Sequence, residues 1–447
     1  MAGFIPHTSA DDAAMLAEIG IGSIDDLFDS VPASLRSTRP LDVPPALSEP
    51  ELLDHIAALA RRDEGALLTC FAGGGAYEHH VPSVARALAS RGEFATSYTP
   101  YQPELSQGVL QAVFEFQTAV CELFGMEVAN ASLYDGASAL VEAVNLAARV
   151  TGRGSAVVAG TVHPHYRQVL RTYTSGLGFG LVEVAPGPDG TVEWADVEMD
   201  EPACVVTQYP NFFGRLEDLR GASARAHAHG ALSVAVADPT AMGVLASPGA
   251  QGADVVAGEG AAFGNPMMYG GPYVGFFATK LEHVRQVPGR ISGETSDADG
   301  RRSFVLTLQA REQHIRRARA TSNVCTNQTL MAIAATIHLA WLGPEGLRRM
   351  GELCMQRAHL ARERLAEIPG CRVKYDGPTF KEFVLETPLP GERLVSTLAD
   401  RGFLVGPALG RWYPDLADCV LVAVTERRTE EDVSGLAEAI YKELAEG

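Results

Sequence analysis

The chain has 447 residues, 46% of them apolar, and a formal charge of −19. That length supports a full core and two or three lobes, and the excess of acid excludes a sequence-independent grip on nucleic acid or attraction to an anionic membrane. Seven scattered cysteines without a CxxC pair, and a start (Met1 to Thr8) without the basic-then-apolar order of a secretory signal, suit reduced thiols in a cytoplasmic protein.

In chain order, residues 1–64 predict a helical arm. Thr8 with Asp11, Ser23 with Asp26 and Ser48 with Glu51 each place a hydroxyl three residues before an acid, the pattern of a capping box. The arm has too few apolar positions for its own core, so it is expected to pack on another surface, a partner chain by preference. Residues 65–325 alternate short apolar runs with helix-period segments, which predicts an α/β domain with a mostly parallel sheet. The strand candidates are Ser155 to Ala159, Ala203 to Thr207, Leu232 to Val236, Val255 to Ala257 and Tyr273 to Ala278; the helices are Gly108 to Phe124, Ser138 to Thr151 and Gly221 to His229. Residues 326–447 open with a long helix near Asn327 and continue through Val420 to Val424 and Glu430 to Leu444, a smaller C-terminal α/β domain. The longest apolar stretch, Leu330 to Leu342, is too short to cross a bilayer and reads as a buried helix.

The chemistry-bearing landmarks fall in a fixed order. Tyr134 to Ser138 forms a small glycine-containing turn before a helix, where free N–H groups can hold a phosphate; equally, Ser138 can simply cap that helix. Gln208 to Gly214, with Asn211, follows a strand directly. Asp238 ends the next strand, and beside Pro239 and Thr240 it can cap a turn. His163 and His165 follow the strand Ser155 to Ala159. This order resembles fold-type I pyridoxal-phosphate enzymes, whose large domain carries a seven-stranded, mostly parallel sheet. The resemblance implies that Asp238 would pair with the pyridine nitrogen of the cofactor and that a ring at His163 or His165 would lie where such enzymes stack one on it. Such an enzyme needs a primary amine roughly twenty residues after the aspartate for its Schiff base. No lysine occurs from Asp238 through Thr279, and the chain has only Lys280, Lys374, Lys381 and Lys442. The paired histidines His79-His80, His163/His165 and His227/His229 lack companion ligands at metal spacing.

A second, closer resemblance spans essentially the whole chain. Ile5 to Thr8, the run Ser97-Tyr98-Thr99-Pro100-Tyr101-Gln102-Pro103-Glu104-Leu105-Ser106-Gln107-Gly108, Phe114 to Thr118, Val128 to Asp135, Gly264-Asn265-Pro266 and Tyr269-Gly270-Gly271-Pro272-Tyr273 are similar to the glycine decarboxylase P-protein family. Its two-chain form divides the enzyme into homologous halves, and this chain resembles the alpha half, subunit 1, with Ala261 at the position of the lysine. The resemblance implies that no pyridoxal phosphate is bound covalently here and that it sits on a homologous beta subunit. It also implies that the pair decarboxylates glycine, releases CO2 and passes the aminomethyl group to the lipoamide of the H-protein. Ser138, His165, Asn211, Asp238 and Ala261 would then be vestiges of a cofactor pocket. Tyr98, Tyr101 and Glu104, on a stiff polar loop ahead of a helix, are the candidates to act on a neighbour's substrate; packing of a subunit interface explains them as well. The rivals are a self-sufficient pyridoxal-phosphate aminotransferase or decarboxylase using Lys280, and a pure scaffold.

Overall fold

A computed structural model of the chain describes residues 6–37, 39–268 and 270–446; Ile5 and Tyr269 lie outside them. The chain divides into two units, Met1–Glu64 and Gly65–Gly447.

In the first unit the short helices start where hydroxyl and acid are paired. Thr8 and Asp11 cap Ser9–Ile19, Ser23 and Asp26 cap Ile24–Phe28, and Ser48 and Glu51 cap Glu49–Ala60. None of its described residues is buried. Leu35, Leu41 and Val43 are 75%, 84% and 68% exposed, so local capping, not a core, shapes this segment.

The second unit is built on a seven-stranded sheet. Strand β1 (Thr69–Ala72) precedes it, and the sheet itself comprises β2 (Val128–Ala129), β3 (Ser155–Ala159), β4 (Gly180–Val184), β5 (Cys204–Tyr209), β6 (Leu232–Ala237), β7 (Val255–Glu259) and β8 (Gly275–Thr279). Their order is β2-β8-β7-β6-β5-β3-β4, parallel from β4 to β7, with β8 antiparallel to both of its neighbours. Strand alternation sorts side chains to two covered faces. Val234 and Val236 of β6 join the cluster that contains Leu140 and Val144 of helix Gly136–Thr151; Ala235 and Ala237 join the one that contains Phe116 and Val120 of helix Gln107–Phe124.

Beyond β8, β9 (Ile291–Ser296) and β10 (Arg302–Thr307) form an antiparallel hairpin that sequence patterning does not reveal. The helical span Thr329–Ala366 is broken at Gly343 (φ 58°, ψ −178°) before Pro344. Its apolar part, up to Leu342, is therefore only about 14 residues or roughly 21 Å long, short of a hydrocarbon layer of about 30 Å. The C-terminal lobe holds β11 (Arg372–Val373), β12 (Glu382–Glu386) and β14 (Cys419–Ala423) in one sheet, while β13 (Phe403–Gly406) pairs in parallel with β1. The boundary drawn at residue 65 gives β1 to the large domain, yet Phe71 packs in the C-terminal cluster with Phe383, Leu394 and Val405. Parallel pairing across more than 300 residues leaves no local signature in sequence.

The turn Asn211 to Gly214 joins the lobes. Phe380 donates its N–H to the Gly214 carbonyl at 3.3 Å and Leu216 to the Pro378 carbonyl at 3.4 Å, which holds residues 378–382 along the large domain. Gly214 has φ +79°, and a Cβ there would collide with the Glu382 carbonyl. Gly214→Ala therefore meets both a strained backbone and a closed space. It should lower the unfolding free energy by about 2–4 kcal/mol in urea titrations; a loss below about 0.5 kcal/mol would mean that this joint is not tight.

Candidate active site

A cavity of about 300 Å³ lies at the C-terminal ends of the parallel strands, where open α/β sheets place their ligands. His163, Tyr166, Asp238, Glu259, Ala261 and Tyr273 are among the side chains that line it. Each is delivered by a chain reversal at a strand end: Asp238 follows β6, Glu259 closes β7, and His163 caps helix Pro164–Thr174 after β3.

Asp238 does not wait for a ligand. Lys381, which directly precedes β12 and is 1% exposed, places its ammonium 2.8 Å from Asp238 Oδ2, 3.1 Å from Thr240 Oγ1 and 3.0 Å from His79 Nε2. An ammonium has three N–H donors, and all three are used. The charge also lies 3.6 Å from the centre of the Tyr77 ring, a cation–π contact. Thr240 in turn donates to Asp238 Oδ1 at 2.7 Å. Burial pushes the Asp238 carboxyl up, but the Lys381 charge and these hydrogen bonds outweigh it and hold the group below its usual range. Because Lys381 can only donate, His79 Nε2 accepts, and Nδ1 carries the proton directed at Glu426 Oε2, 2.7 Å away. His79, Cys354 and Glu426 approach one another as metal ligands would. Both ring nitrogens are nonetheless engaged, one of them against a cation.

The other end of the cavity is filled by Glu259. Oε2 accepts the N–H of Gly136 at 2.9 Å, and Oε1 accepts the N–H groups of Ala261 at 2.9 Å and Val274 at 3.0 Å. Gly136 is the first residue of its helix, so the carboxylate sits at the positive end of the helix dipole. Burial is the largest influence on this carboxyl and raises it to about 7, against the pull of the three N–H bonds and helped by the nearby Asp135. His163 is neutral in this setting. Its Nε2–H donates to the Gly74 carbonyl at 2.5 Å, Nδ1 accepts the His165 N–H at 3.0 Å, and burial lowers the ring to about 4.

Of the residues singled out from sequence, Asp238 and Ala261 line the cavity; Ser138, His165 and Asn211 do not. Ser138 makes a reciprocal capping box with Asp135, its N–H donating to Asp135 Oδ1 at 2.7 Å and its hydroxyl accepting from the Asp135 N–H at 3.1 Å. His165 is exposed and meets Trp412 edge-on at 5.3 Å; His163 is the ring in the cavity. Asn211 is buried and spends its amide on Gly190, Glu217, Phe213 and Arg215, so it shapes the inter-lobe turn. Lys280 lies at the opposite end of the strands, because β8 runs antiparallel to β7 and pairs Thr279 with Val255, the first residue of β7. There it forms an ion pair with Asp254, which His227 also approaches at 2.7 Å. That placement corrects the Schiff-base reading of Lys280: it cannot reach the cavity. Tyr98, Tyr101 and Glu104 lie together on an exposed surface loop that is not part of this cavity.

Sequence reasoning missed Lys381 and Glu259. The scarcity of lysine was a usable signal for the first, since Lys381 is one of four in the chain. It is 143 residues from Asp238, however, and only the closed fold brings them together. For Glu259 the signal was an acid two residues before Ala261 at the end of an otherwise apolar strand.

Pyridoxal phosphate needs an amine, an anion cradle and a partner for its ring nitrogen. Ala261 offers a methyl group, the cradle N–H groups are bound by Glu259, and Asp238 is paired with Lys381. The residues of this chain do not fit that cofactor.

The fold and the position of the pocket define a chain of the fold-type I class. A sphingosine-1-phosphate lyase from Burkholderia pseudomallei shares this fold at 14% identity, with a TM-score of 0.65 over 93% of this chain and 97% of that one. Residues 2–440 match the family model described as Glycine cleavage system P-protein, and the chain belongs to that family. It is 49% identical over 438 residues to a probable glycine dehydrogenase (decarboxylating) subunit 1 of Desulforamulus reducens, covering 97% of this chain and 98% of that one. It is 49% identical over 450 residues to the similarly named protein of Thermomicrobium roseum, covering 99% and 100%. A crystal structure of glycine decarboxylase (P-protein) of the glycine cleavage system, in inhibitor-bound form, superposes with a TM-score of 0.91 at 47% identity, covering 98% and 99%.

The raised carboxyl of Glu259 has a consequence for stability. An ordinary glutamate titrates at 4.5 and this one at about 7, so between those values the folded chain holds a proton that the unfolded chain has released. Stability then falls as pH rises through that window and levels off above it, by an amount on the order of 3 kcal/mol. Glu259→Gln removes this component. Urea unfolding should show wild type losing ground to the variant between about pH 5 and about pH 8; a pH-independent difference would refute the assignment.

Proposed function

We infer that this chain is the subunit of a two-chain glycine decarboxylase that does not carry the cofactor. With a homologous beta subunit bearing pyridoxal phosphate, it decarboxylates glycine, releases CO2 and transfers the aminomethyl group to the lipoyl arm of the H-protein, in the cytoplasm. The observation that carries this reading is a family member whose own pocket lacks the amine and has its other two cofactor anchors engaged, so the electron sink must come from another chain. Full-length similarity to proteins named subunit 1 supports it, and seven free thiols support a reducing compartment. The arm of residues 1–64, with its apolar side chains exposed, suits a segment covered by the partner.

What this chain contributes is the loop Ser97 to Gln107. Tyr98 is 78% exposed and Leu105 79%, while the segment behind them is fixed. Gln107 accepts the Phe304 N–H at 2.8 Å and donates to the carbonyls of Phe304 and Pro103, pinning the loop to the β9–β10 hairpin. Tyr101 rests between His314, 6.0 Å away edge-on, and the Arg290 guanidinium, 5.5 Å from its ring centre. Arg290 donates to the phenol oxygen at 3.4 Å and leaves the O–H free to donate outward. A rigid loop that presents phenols and a carboxylate, Glu104, away from its own pocket is built to act at a neighbour's.

The test is turnover of glycine by the assembled enzyme with lipoylated H-protein, for Tyr98→Phe, Tyr101→Phe and Glu104→Gln made separately. Each should still assemble, and loss of a positioned hydrogen-bonding group should lower kcat by roughly 10²–10³-fold. Phenylalanine keeps the ring and removes only the hydroxyl, so packing and chemistry separate. Wild-type rates in all three assembled variants would establish the scaffold reading instead.

A further inference from the structure

A pocket that had merely lost its lysine would carry two unmet demands. Three N–H groups from separate segments, Gly136, Ala261 and Val274, would converge on nothing, and Asp238 would hold a charge in a largely enclosed site without a counter-ion. Both conditions are unfavourable in a low-dielectric interior. Neither obtains here. Each pole holds a side chain of the same charge sign as the cofactor group for which that pole is suited: a carboxylate among the N–H donors, an ammonium on the aspartate.

We propose that Glu259 occupies the phosphate end of the cofactor pocket and that Lys381 neutralises Asp238 from behind the pocket wall, the carboxylate standing in for a phosphate group and the ammonium for the charge of a protonated ring nitrogen, so that the chain excludes pyridoxal phosphate by engaging both anchors and not only by lacking an amine. A phosphate entering the cradle would have to displace Glu259 from donors it already uses, or sit beside a like charge. A pyridinium approaching Asp238 would meet a charge already neutralised by a cation whose three donors are satisfied. The two occupants are anchored differently. Glu259 is held within the large domain, by the N–H groups of Gly136, Ala261 and Val274. Lys381 is supplied by the C-terminal lobe, so neutralising Asp238 depends on the lobes being together. Tyr77 and Glu382 reinforce the second pole: the Tyr77 hydroxyl donates to Glu382 Oε2 at 2.8 Å, which keeps its ring against the Lys381 ammonium.

The inference concerns this chain alone and stands whether or not the partner reading is correct. It predicts that the cradle still recognises phosphate once its occupant is gone. The full-length wild-type chain and Glu259→Ala are titrated calorimetrically at about pH 8, where carboxylate and phosphate are both ionised, with inorganic phosphate and then with pyridoxal phosphate. Wild type should bind neither, and the variant should bind both at least about tenfold more tightly. Equal binding by the two proteins, or no gain in a variant that still unfolds cooperatively, overturns the proposal. Ala261→Lys and the triple variant Ala261→Lys/Glu259→Ala/Lys381→Ala are then exposed to pyridoxal phosphate and reduced with borohydride. The single variant should take up no cofactor, and the triple should give a reduced adduct at position 261. Uptake by Ala261→Lys alone would show that restoring the amine suffices and that the occupants do not exclude. That arm, like binding by wild type, remains decisive if the triple variant does not fold.

Discussion

The ion pair between Lys381 and Asp238 ties the C-terminal lobe to the end of the central sheet. Its two members are borne by different lobes, lie in a largely enclosed site, and are linked through Thr240 and His79 to Glu426. Such a pair gives little net stability compared with apolar packing, because both charges must be desolvated. Breaking it is expensive, since the survivor is left buried and alone. Its effect is therefore specificity of arrangement. With the C-terminal lobe in place the ammonium is satisfied by three partners, and the acid at the ring-nitrogen pole of the pocket is neutralised.

From that constraint follows the character of the site. With Lys381 in place, Tyr77 is held over the ammonium, Glu382 receives the Tyr77 hydroxyl and the Gly74 N–H, and burial raises its carboxyl to about 7. Glu259 closes the opposite pole. What remains is a cavity lined by neutral His163 and by phenols, with no amine to form a covalent link. A family whose chemistry rests on an electron sink thus has a member in which the sink's binding groups are used for internal cohesion. Outside the pocket, the loop Ser97 to Gln107 exposes two phenols and a carboxylate, and the arm exposes apolar side chains.

Much of the fold could be read directly from sequence because its causes are local. The run Ser155 to Ala159 matches β3 residue for residue, and the three hydroxyl–acid pairs of the arm cap the elements expected of them, because strand alternation and capping act within a few residues. The absence of a lysine from Asp238 through Thr279 was equally plain. What escaped was non-local. The β9–β10 hairpin falls in a polar, arginine-rich segment; β4 is a mostly exposed edge; β1 gains its partner from the far end of the chain. Nothing beside Lys381 in the sequence points to Asp238, the partner it finds in the fold. Ser138 and Asn211 show the converse, residue types placed where a cofactor loop would need them but spent on a helix cap and an inter-lobe turn.

The central claim is that this chain holds no pyridoxal phosphate and depends on a partner that does. The most direct measurement is borohydride reduction of the assembled two-chain enzyme, followed by quantification of the cofactor and peptide mapping. The account predicts one cofactor for each pair of chains, with every label on a lysine of the partner. A label on Lys280, Lys374, Lys381 or Lys442 of this chain, or two cofactors for each pair, would contradict it.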